Sequence, residues 1–255
     1  MDVPNIRTAC EKAERIGGLV GGFKMGFELI LASIADLVEP EGPREAEFNL
    51  IWLRRFFDAV KGRLFLDVKL KDIKNTVEGA ARQIARLNPK SFNLHADGSF
   101  QMVEGAAATI RQAGVDSKIW TVTLLTDMTY DDLADLEILP PMAEQDHAKD
   151  TLLARVLVRT DRAKRAGLDG VIASAQEAKA IREHCGCGFD IVTPAIRPMW
   201  AAVNDQKRPT TPADAISAGA DYLVIGRPIL KPPAEIGAPE NAIDLICEEI
   251  ESVRV

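Results

Sequence analysis

The sequence lacks the features that mark membrane, exported and nucleic-acid-binding proteins. It contains no run of about 18 apolar residues, so we expect no membrane span. No basic segment followed by an apolar one opens the chain, which argues against export. Positive charge is not in excess either. The formal net charge is −7 and the isoelectric point is near 5.2, which disfavours a nucleic-acid partner.

Cysteine is scarce as well, and cofactor motifs are missing. The four cysteines form no disulfide framework, so we expect a cytoplasmic protein with reduced thiols at Cys10, Cys185, Cys187 and Cys247. The His-Cys-Gly-Cys segment at 184–187 has too few ligands, too tightly spaced, for a metal, and it predicts a helix end and a turn. Without a Walker loop or a dinucleotide fingerprint, we expect no cofactor and no metal.

The sequence does contain a regular alternation of short apolar runs and amphipathic, helix-length segments. We predict strands at residues 19–24, 64–69, 91–95, 119–124, 170–174, 189–193 and 222–226. Helical patterns lie between them, for example at 76–87, 100–113, 151–166 and 175–184. This alternation and the length of 255 residues predict one α/β domain, residues 1–255, folded as a (β/α)8 TIM barrel.

The first strand of that barrel is the one without a clear signal. Residues 1–5 are too short for a strand, and a helical pattern already begins at residue 5. Either the first strand is abbreviated, or residues upstream are absent from this chain. Two segments, 32–61 and 126–149, exceed the needs of a plain barrel, and we expect them to be helix-and-loop additions.

Residues 65–76 are the stretch around which the predicted site is organised. Asp67 and Lys69 are two residues apart, so both point to one face of a buried strand. Asp72 follows where the strand ends, and the Asn75-Thr76 pair is expected to cap the next helix. An ion pair closing the end of the barrel would explain the charges structurally, but the whole pattern is typical of the catalytic end of a barrel strand.

Polar residues also follow the other predicted strands, at the end of the barrel where active sites form. They are Lys24, Asp67, Lys69, His95, Thr123 or Thr126, Ser174, Pro194 and the Gly226-Arg227 pair. Glycine lets a phosphate approach the backbone and arginine gives charge-assisted hydrogen bonds, so Gly226 and Arg227 predict a phosphate site. The loop at 197–211 lies beside it and could close over the same phosphate.

Together these segments resemble the orotidine 5′-phosphate decarboxylase family from about residue 2 to residue 247. The motif Asp67-x-Lys69-x-x-Asp72-Ile73-x-x-Thr76 is similar to the family's strand-three motif without a gap. Similar segments are 93–96 for strand four, 167–177 for strand six, 193–198 with 205–208 for strand seven and its phosphate loop, and 225–229 for strand eight. One residue departs: Ala195 stands where the family usually has glycine.

The resemblance implies a cofactor-free, homodimeric decarboxylase that converts orotidine 5′-monophosphate to UMP in pyrimidine synthesis. Lys24, Asp67, Lys69 and Asp72 would form the charged array, with Lys69 as the proton donor to C6. Asp72, Ile73 and Thr76 would reach the neighbouring subunit's site. Substrate contacts would come from Asp2 at the ribose, Thr126 or Thr129 and Pro194 at the base, and Gln206, Gly226 and Arg227 at the phosphate.

Two alternatives stay open. Sugar-phosphate decarboxylases and hexulose-phosphate synthases share the Asp-x-Lys-x-x-Asp motif, but they need Mg²⁺ and a glutamate that we do not find at the 92–95 strand end. The second alternative is a barrel that binds phosphoribosyl ligands without turnover. The presence of all four charged residues, Lys24, Asp67, Lys69 and Asp72, argues against it.

Overall fold

The computed structural model describes residues 1–40, 42–139, 148–201 and 210–254. Gln206 and the 205–208 part of the predicted phosphate loop lie outside the described residues. Among those described, no helix is long and apolar enough to cross a membrane.

Strands and helices alternate along the chain, as the sequence pattern predicts. The strands are β1 Phe23–Met25, β2 Leu64–Leu70, β3 Ser91–His95, β4 Lys118–Val122, β5 Gly170–Ile172, β6 Asp190–Thr193 and β7 Tyr222–Leu223. The helices are α1 Ile6–Ile16, α2 Phe27–Val38, α3 Pro43–Ala59, α4 Lys74–Leu87, α5 Phe100–Gln112, α6 Tyr130–Asp135, α7 Ala148–Arg165, α8 Ala175–Cys185, α9 Pro212–Ser217, α10 Arg227–Leu230 and α11 Pro239–Glu251.

Within the described residues, these seven strands form one parallel sheet in sequence order, β1-β2-β3-β4-β5-β6-β7. The sheet therefore has the order of a TIM barrel, but no pairing between β1 and β7 closes it in the described part of the chain. Residues 1–5 precede α1 without forming a strand, as expected from their length.

Apolar residues cover both faces of the sheet. The outward-facing residues of the strands pack against the helices in one large buried cluster that includes Leu66, Phe92 and Leu94. A second cluster fills the inside of the curled sheet and consists of Phe65, Trp120, Val122, Ile172 and Val192. Because side chains alternate along a strand, the inward parity that carries Phe65 on β2 also carries Asp67 and Lys69.

Three local predictions can be compared with the structure. α8 ends at Cys185, and Gly186 follows with a positive φ of 72°, so the predicted helix end and turn at 184–187 is confirmed. All four cysteines are free. The predicted cap at Asn75-Thr76 is wrong, because α4 begins at Lys74 with Ile73 as its N-cap residue.

Candidate active site

The site lies at the carboxyl ends of β1, β2 and β3, around the carboxylate of Asp67. This carboxylate is buried, with 6% of the residue exposed. Its Oδ2 accepts a hydrogen bond from Lys24 Nζ at 2.8 Å, and its Oδ1 accepts one from Lys69 Nζ at 2.6 Å. Asn93 Nδ2 donates a third hydrogen bond to Oδ1 at 2.7 Å. Two ammonium groups are thus held on opposite oxygens of one buried carboxylate.

These contacts decide the protonation of Asp67. Burial opposes ionisation, but the charge of Lys24 and the hydrogen bonds from Lys24, Lys69 and Asn93 outweigh it and lower the pKa of the carboxyl. Asp67 is therefore a fixed negative charge at neutral pH. Asp2 adds a second, more exposed carboxylate, with its Oδ1 at 3.8 Å from Lys24 Nζ.

Local backbone structure brings Lys69 to this position. The register between β2 and β3 shifts between Leu66 and Leu70, and Lys69 has a φ of 43°, in the left-handed region that non-glycine residues rarely adopt. The Lys69 backbone N–H donates to Asn93 Oδ1 at 2.7 Å instead of to a strand carbonyl. Such strained backbone clusters at functional sites, which fits the predicted role of Lys69.

A cavity of about 610 Å³ opens beside this cluster and runs along the inside of the curled sheet. Six of the predicted substrate-binding and catalytic residues line it: Asp2, Lys24, Thr126, Pro194, Gly226 and Arg227. Lys24 on the cavity wall forms an ion pair with Asp67, and Asp67 forms a second ion pair with Lys69. Its volume and mixed polar and apolar lining suit a small-molecule ligand.

The two candidate threonines have different structural roles. Thr126 lines the cavity. Thr129 is the N-cap residue of α6, where its side chain and that of Asp132 form a reciprocal capping box. The hydroxyl of Thr129 is thus engaged in holding a helix end.

Three predicted site residues do not contact the charged cluster around Asp67 within the described part of the same chain. Asp72, Ile73 and Thr76 are exposed, and Ile73 is 71% exposed although it is apolar. Asp72 accepts a hydrogen bond from the Ile73 backbone N–H at 2.6 Å. Among the ion pairs of the described residues, none joins Asp72 to Lys69.

Sequence reasoning missed two site residues. Asn93 was noted only as part of the 93–96 segment, yet its side chain forms hydrogen bonds with both Asp67 and Lys69. Arg197, which is 7% exposed, lines the same cavity as Arg227. Its position directly after a predicted strand end, at Thr193-Pro194-Ala195-Ile196-Arg197, was the available signal.

Ala195 also borders the cavity, with a φ of 67°. This left-handed conformation favours glycine, the residue that the resemblance predicts at this position. No three His, Cys, Asp or Glu side chains come together as a possible metal site in the part of the chain that the structure describes.

Comparison with known proteins assigns the chain to a family. The profile of the orotidine 5′-phosphate decarboxylase / HUMPS family matches residues 1–238. Orotidine 5′-phosphate decarboxylase of Geobacter sulfurreducens is 40% identical over 237 residues, 92% of this chain and 88% of the relative. The Moorella thermoacetica protein of the same name is 37% identical over 259 residues, 100% of this chain and 91% of the relative.

Solved structures agree in fold. The crystal structure of orotidine 5′-phosphate decarboxylase from Lactobacillus acidophilus matches with a TM-score of 0.68 and 27% identity, covering 98% of this chain and 96% of that one. The Pyrococcus horikoshii enzyme matches with a TM-score of 0.67 at 20% identity, covering 98% and 96%, which concerns the fold alone. The charged cluster, the cavity and these matches lead to one conclusion: the chain belongs to the orotidine 5′-phosphate decarboxylase / HUMPS family.

Proposed function

We propose that this chain decarboxylates orotidine 5′-monophosphate to UMP and CO₂, with no metal and no cofactor. The observation that carries the proposal is the Lys24–Asp67–Lys69 array, in which one buried carboxylate is held between two ammonium groups beside a ligand-sized cavity. Family membership supports the same reaction, since the relatives compared above bear that name.

The array accounts for the two halves of the reaction. The bond from C6 to the carboxylate breaks heterolytically, CO₂ leaves, and the electron pair stays on C6. In the proposed complex, Asp67 repels the substrate carboxylate. At about 4 Å and an effective dielectric constant of about 20, two like charges cost roughly 4 kcal/mol, which corresponds to about three decades of rate when CO₂ departs.

Lys69 completes the reaction. Its ammonium stabilises the developing negative charge at C6 and then donates a proton to it, which forms UMP. The neutral amine regains a proton from solvent before the next turnover. Because Asp67 Oδ1 holds Lys69 Nζ at 2.6 Å, the donor is oriented before the substrate binds.

The remaining substrate contacts belong to the same proposal. Asp2 binds the ribose, Thr126 and Pro194 line the base, and Gly226, Arg227 and Gln206 hold the phosphate. The cavity supports the assignments to Asp2, Thr126, Pro194, Gly226 and Arg227, since all five line it. Thr126 is preferred to Thr129, whose hydroxyl caps α6.

We also propose that the chain works as a homodimer in which Asp72, Ile73 and Thr76 reach the neighbouring site. Support comes from an apolar stripe on α2, formed by Phe27, Leu31, Ile34 and Val38, which are 52%, 62%, 53% and 72% exposed. The spacing of these residues puts them on one face of the helix. Phe27 follows β1 and Ile73 follows β2, so the stripe begins at the same end of the sheet as the site.

Two further parts of the proposal concern the whole chain. Residues 1–255 form one (β/α)8 domain. In support, Phe23 and Lys24 of β1 and Tyr222 and Leu223 of β7 line the same cavity, although no pairing joins β1 and β7 in the described residues. The four free thiols suit a cytoplasmic protein.

The test is the loss of orotidine 5′-monophosphate absorbance after purified protein is added with EDTA present. We expect conversion to UMP, and we expect Lys69→Ala to lower kcat by at least ~10²- to 10⁴-fold, the usual contribution of a positioned proton donor. Lys71→Ala is the matched control, because Lys71 is an exposed lysine two residues away, and its rate should equal that of the wild type.

A different result would favour the other branch of the family. If the protein leaves orotidine 5′-monophosphate unchanged but processes a sugar phosphate only when Mg²⁺ is added, the decarboxylase proposal is wrong. If it binds UMP without turnover of either substrate, it is a nucleotide-binding barrel.

A further inference from the structure

One buried side chain, that of Asn93, joins the two charged residues at the centre of the site. It lies on β3 and is 0% exposed. Its Oδ1 accepts from the Lys69 backbone N–H and its Nδ2 donates to Asp67 Oδ1, both at 2.7 Å. The backbone donor and the carboxylate acceptor together dictate which end of the amide faces which partner.

The strand pairing shows why a side chain is needed there. Leu66 pairs with Phe92 and Leu70 pairs with Leu94, so four steps along β2 correspond to two steps along β3. The residues between them arch away from the regular ladder, and Lys69 adopts its φ of 43° within this arch. The Lys69 N–H loses its usual strand partner, and the amide oxygen of Asn93 replaces it.

We propose that Asn93 is the positioning residue of this site: its carboxamide holds Lys69 in the left-handed arch and keeps Asp67 Oδ1 beside the Lys69 ammonium. This proposal rests on the proposed function for its catalytic consequence. A left-handed conformation costs a non-glycine residue free energy, so it persists only where the surroundings hold it. Asn93 provides one hydrogen bond to each end of that arch.

Neither aspartate nor alanine can make both bonds. Aspartate has an acceptor for the Lys69 N–H but, when ionised, has no donor for Asp67. Alanine has neither. Asn93→Asp and Asn93→Ala therefore separate the two halves of the contact, and aspartate also preserves the volume of the buried side chain.

Thr121→Val is the matched control. Thr121 lies on the adjacent strand β4, is also 0% exposed, and donates from its Oγ1 to the carbonyl of Leu94 at 3.2 Å. Valine has nearly the same shape, so this variant removes a buried hydrogen bond next to Asn93 without touching the charged cluster. A purely structural role of Asn93 would make the two sets of variants behave alike.

Crystal structures of the variants test the positioning without any substrate. In Asn93→Ala we expect Lys69 to leave the left-handed region and its Nζ to move beyond hydrogen-bond distance of Asp67 Oδ1. In Thr121→Val both should stay. If Lys69 keeps its φ and its contact with Asp67 in Asn93→Ala, the proposal is overturned, whatever reaction the protein catalyses.

Kinetics test the consequence for catalysis. Displacing a reacting group by about 1 Å costs on the order of 10²-fold, so we expect kcat to fall by about that factor in Asn93→Ala while the affinity for UMP changes far less. Removing the Asn93 hydrogen bond destabilises ionised Asp67 and so raises the pKa of its carboxyl. The acid limb of the pH profile of kcat should therefore move to higher pH. The shift should be largest in Asn93→Asp, because that variant puts a second carboxyl group beside Asp67.

The outcomes are distinguishable. A folded Asn93→Ala enzyme with the kcat and pH profile of Thr121→Val contradicts the proposal. Absence of orotidine 5′-monophosphate turnover in the wild type contradicts the proposed function instead, and the crystal structures still decide the position of Lys69. If Asn93→Ala fails to fold, Asn93→Asp tests the bond to Asp67 alone. We expect the distance between Asp67 Oδ1 and Lys69 Nζ to exceed hydrogen-bond range and kcat to fall, and an unchanged distance with an unchanged kcat contradicts the proposal.

Discussion

At the scale of single residues, two non-glycine residues with positive φ border the site, Lys69 at 43° and Ala195 at 67°. The charge of Lys69 and its spacing from Asp67 were predictable, because strand periodicity puts them on one face. Its backbone conformation was not, since it depends on Asn93, which is 24 residues away in the sequence and adjacent only in the folded sheet.

Arg227 is the residue whose role is easiest to isolate by choice of ligand. Because an arginine hydrogen bond to a charged group contributes about 1.5–3 kcal/mol, we expect Arg227→Ala to weaken UMP binding by ~10- to 10²-fold. Uridine, which lacks the phosphate, should bind as before. Calorimetric titration of both ligands measures the difference.

Lys231→Ala is the control for that titration, since Lys231 is an exposed cation directly after α10. It should leave both affinities unchanged. Equal weakening of UMP and uridine by Arg227→Ala would contradict the phosphate assignment and would indicate a general disturbance of the cavity.

At the scale of elements, the helix starts are set by local chemistry that the sequence shows only in part. α8 begins with a capping box in which Ser174 and Glu177 bond each other's backbone N–H groups. α4 begins at Lys74, directly before the predicted Asn75-Thr76 cap, and its N-cap residue Ile73 makes no side-chain cap bond. The helix starts there because Ile73 has an extended conformation, with φ −61° and ψ 153°.

Glu177 makes α8 sensitive to pH. Desolvation raises the pKa of its carboxyl from 4.5 to about 7, although the hydrogen bond from the Ser174 N–H acts in the other direction. Between these values the unfolded chain releases the proton and the folded chain keeps it, so the free energy of unfolding falls as pH rises from about 4.5 to about 7.

We therefore expect Glu177→Gln to raise the free energy of unfolding by about 1–3 kcal/mol at pH 8 and by much less at pH 5. Glutamine keeps the capping geometry and carries no charge. Urea denaturation at both pH values measures this. Glu183→Gln, an exposed site on the same helix, is the control, and an equal gain at both pH values for Glu177→Gln would contradict the explanation.

At the scale of the whole molecule, the sheet curls so that β1 and β7, which do not pair in the described residues, line one cavity. The exposed apolar stripe on α2 begins at the carboxyl end of the sheet. Contiguous exposed apolar surface on a folded chain marks an interaction site. The exposure of Ile73 and Asp72 at the same rim is what a shared dimeric site requires.

If the proposed dimer forms through the stripe, Leu31→Glu in its middle should convert it to monomers and lower kcat, because each proposed site would lose the partner's Asp72. Sedimentation velocity and the decarboxylation assay measure the two effects. Val158→Glu is the matched control, since Val158 is 55% exposed on α7 and lies outside the stripe. A dimer that persists in Leu31→Glu would contradict the assigned interface.

Mixing subunits tests the shared site directly. We expect Lys69→Ala and Asp72→Ala subunits each to be defective, whereas a heterodimer with the proposed shared sites would contain one site with both residues intact. Partial recovery of activity on mixing is the expected outcome. No recovery in confirmed heterodimers would show that Asp72 acts within its own chain.

The sequence by itself determined the alternation of strands and helices, the common face of Asp67 and Lys69, and the rim of polar residues after the strands. These follow from local periodicity, which operates over a few residues. β3 was predicted to the residue, because its apolar run is bounded by polar segments on both sides.

Only the tertiary structure decided how those residues meet. The Asn93 bonds, the left-handed arch at Lys69, the assignment of Thr129 to a helix cap and the cavity position of Arg197 all depend on the register between strands and on packing between distant segments. The shift between β2 and β3 places the Asn93 amide beside Lys69, and no local pattern encodes the two-residue difference in register that creates the site.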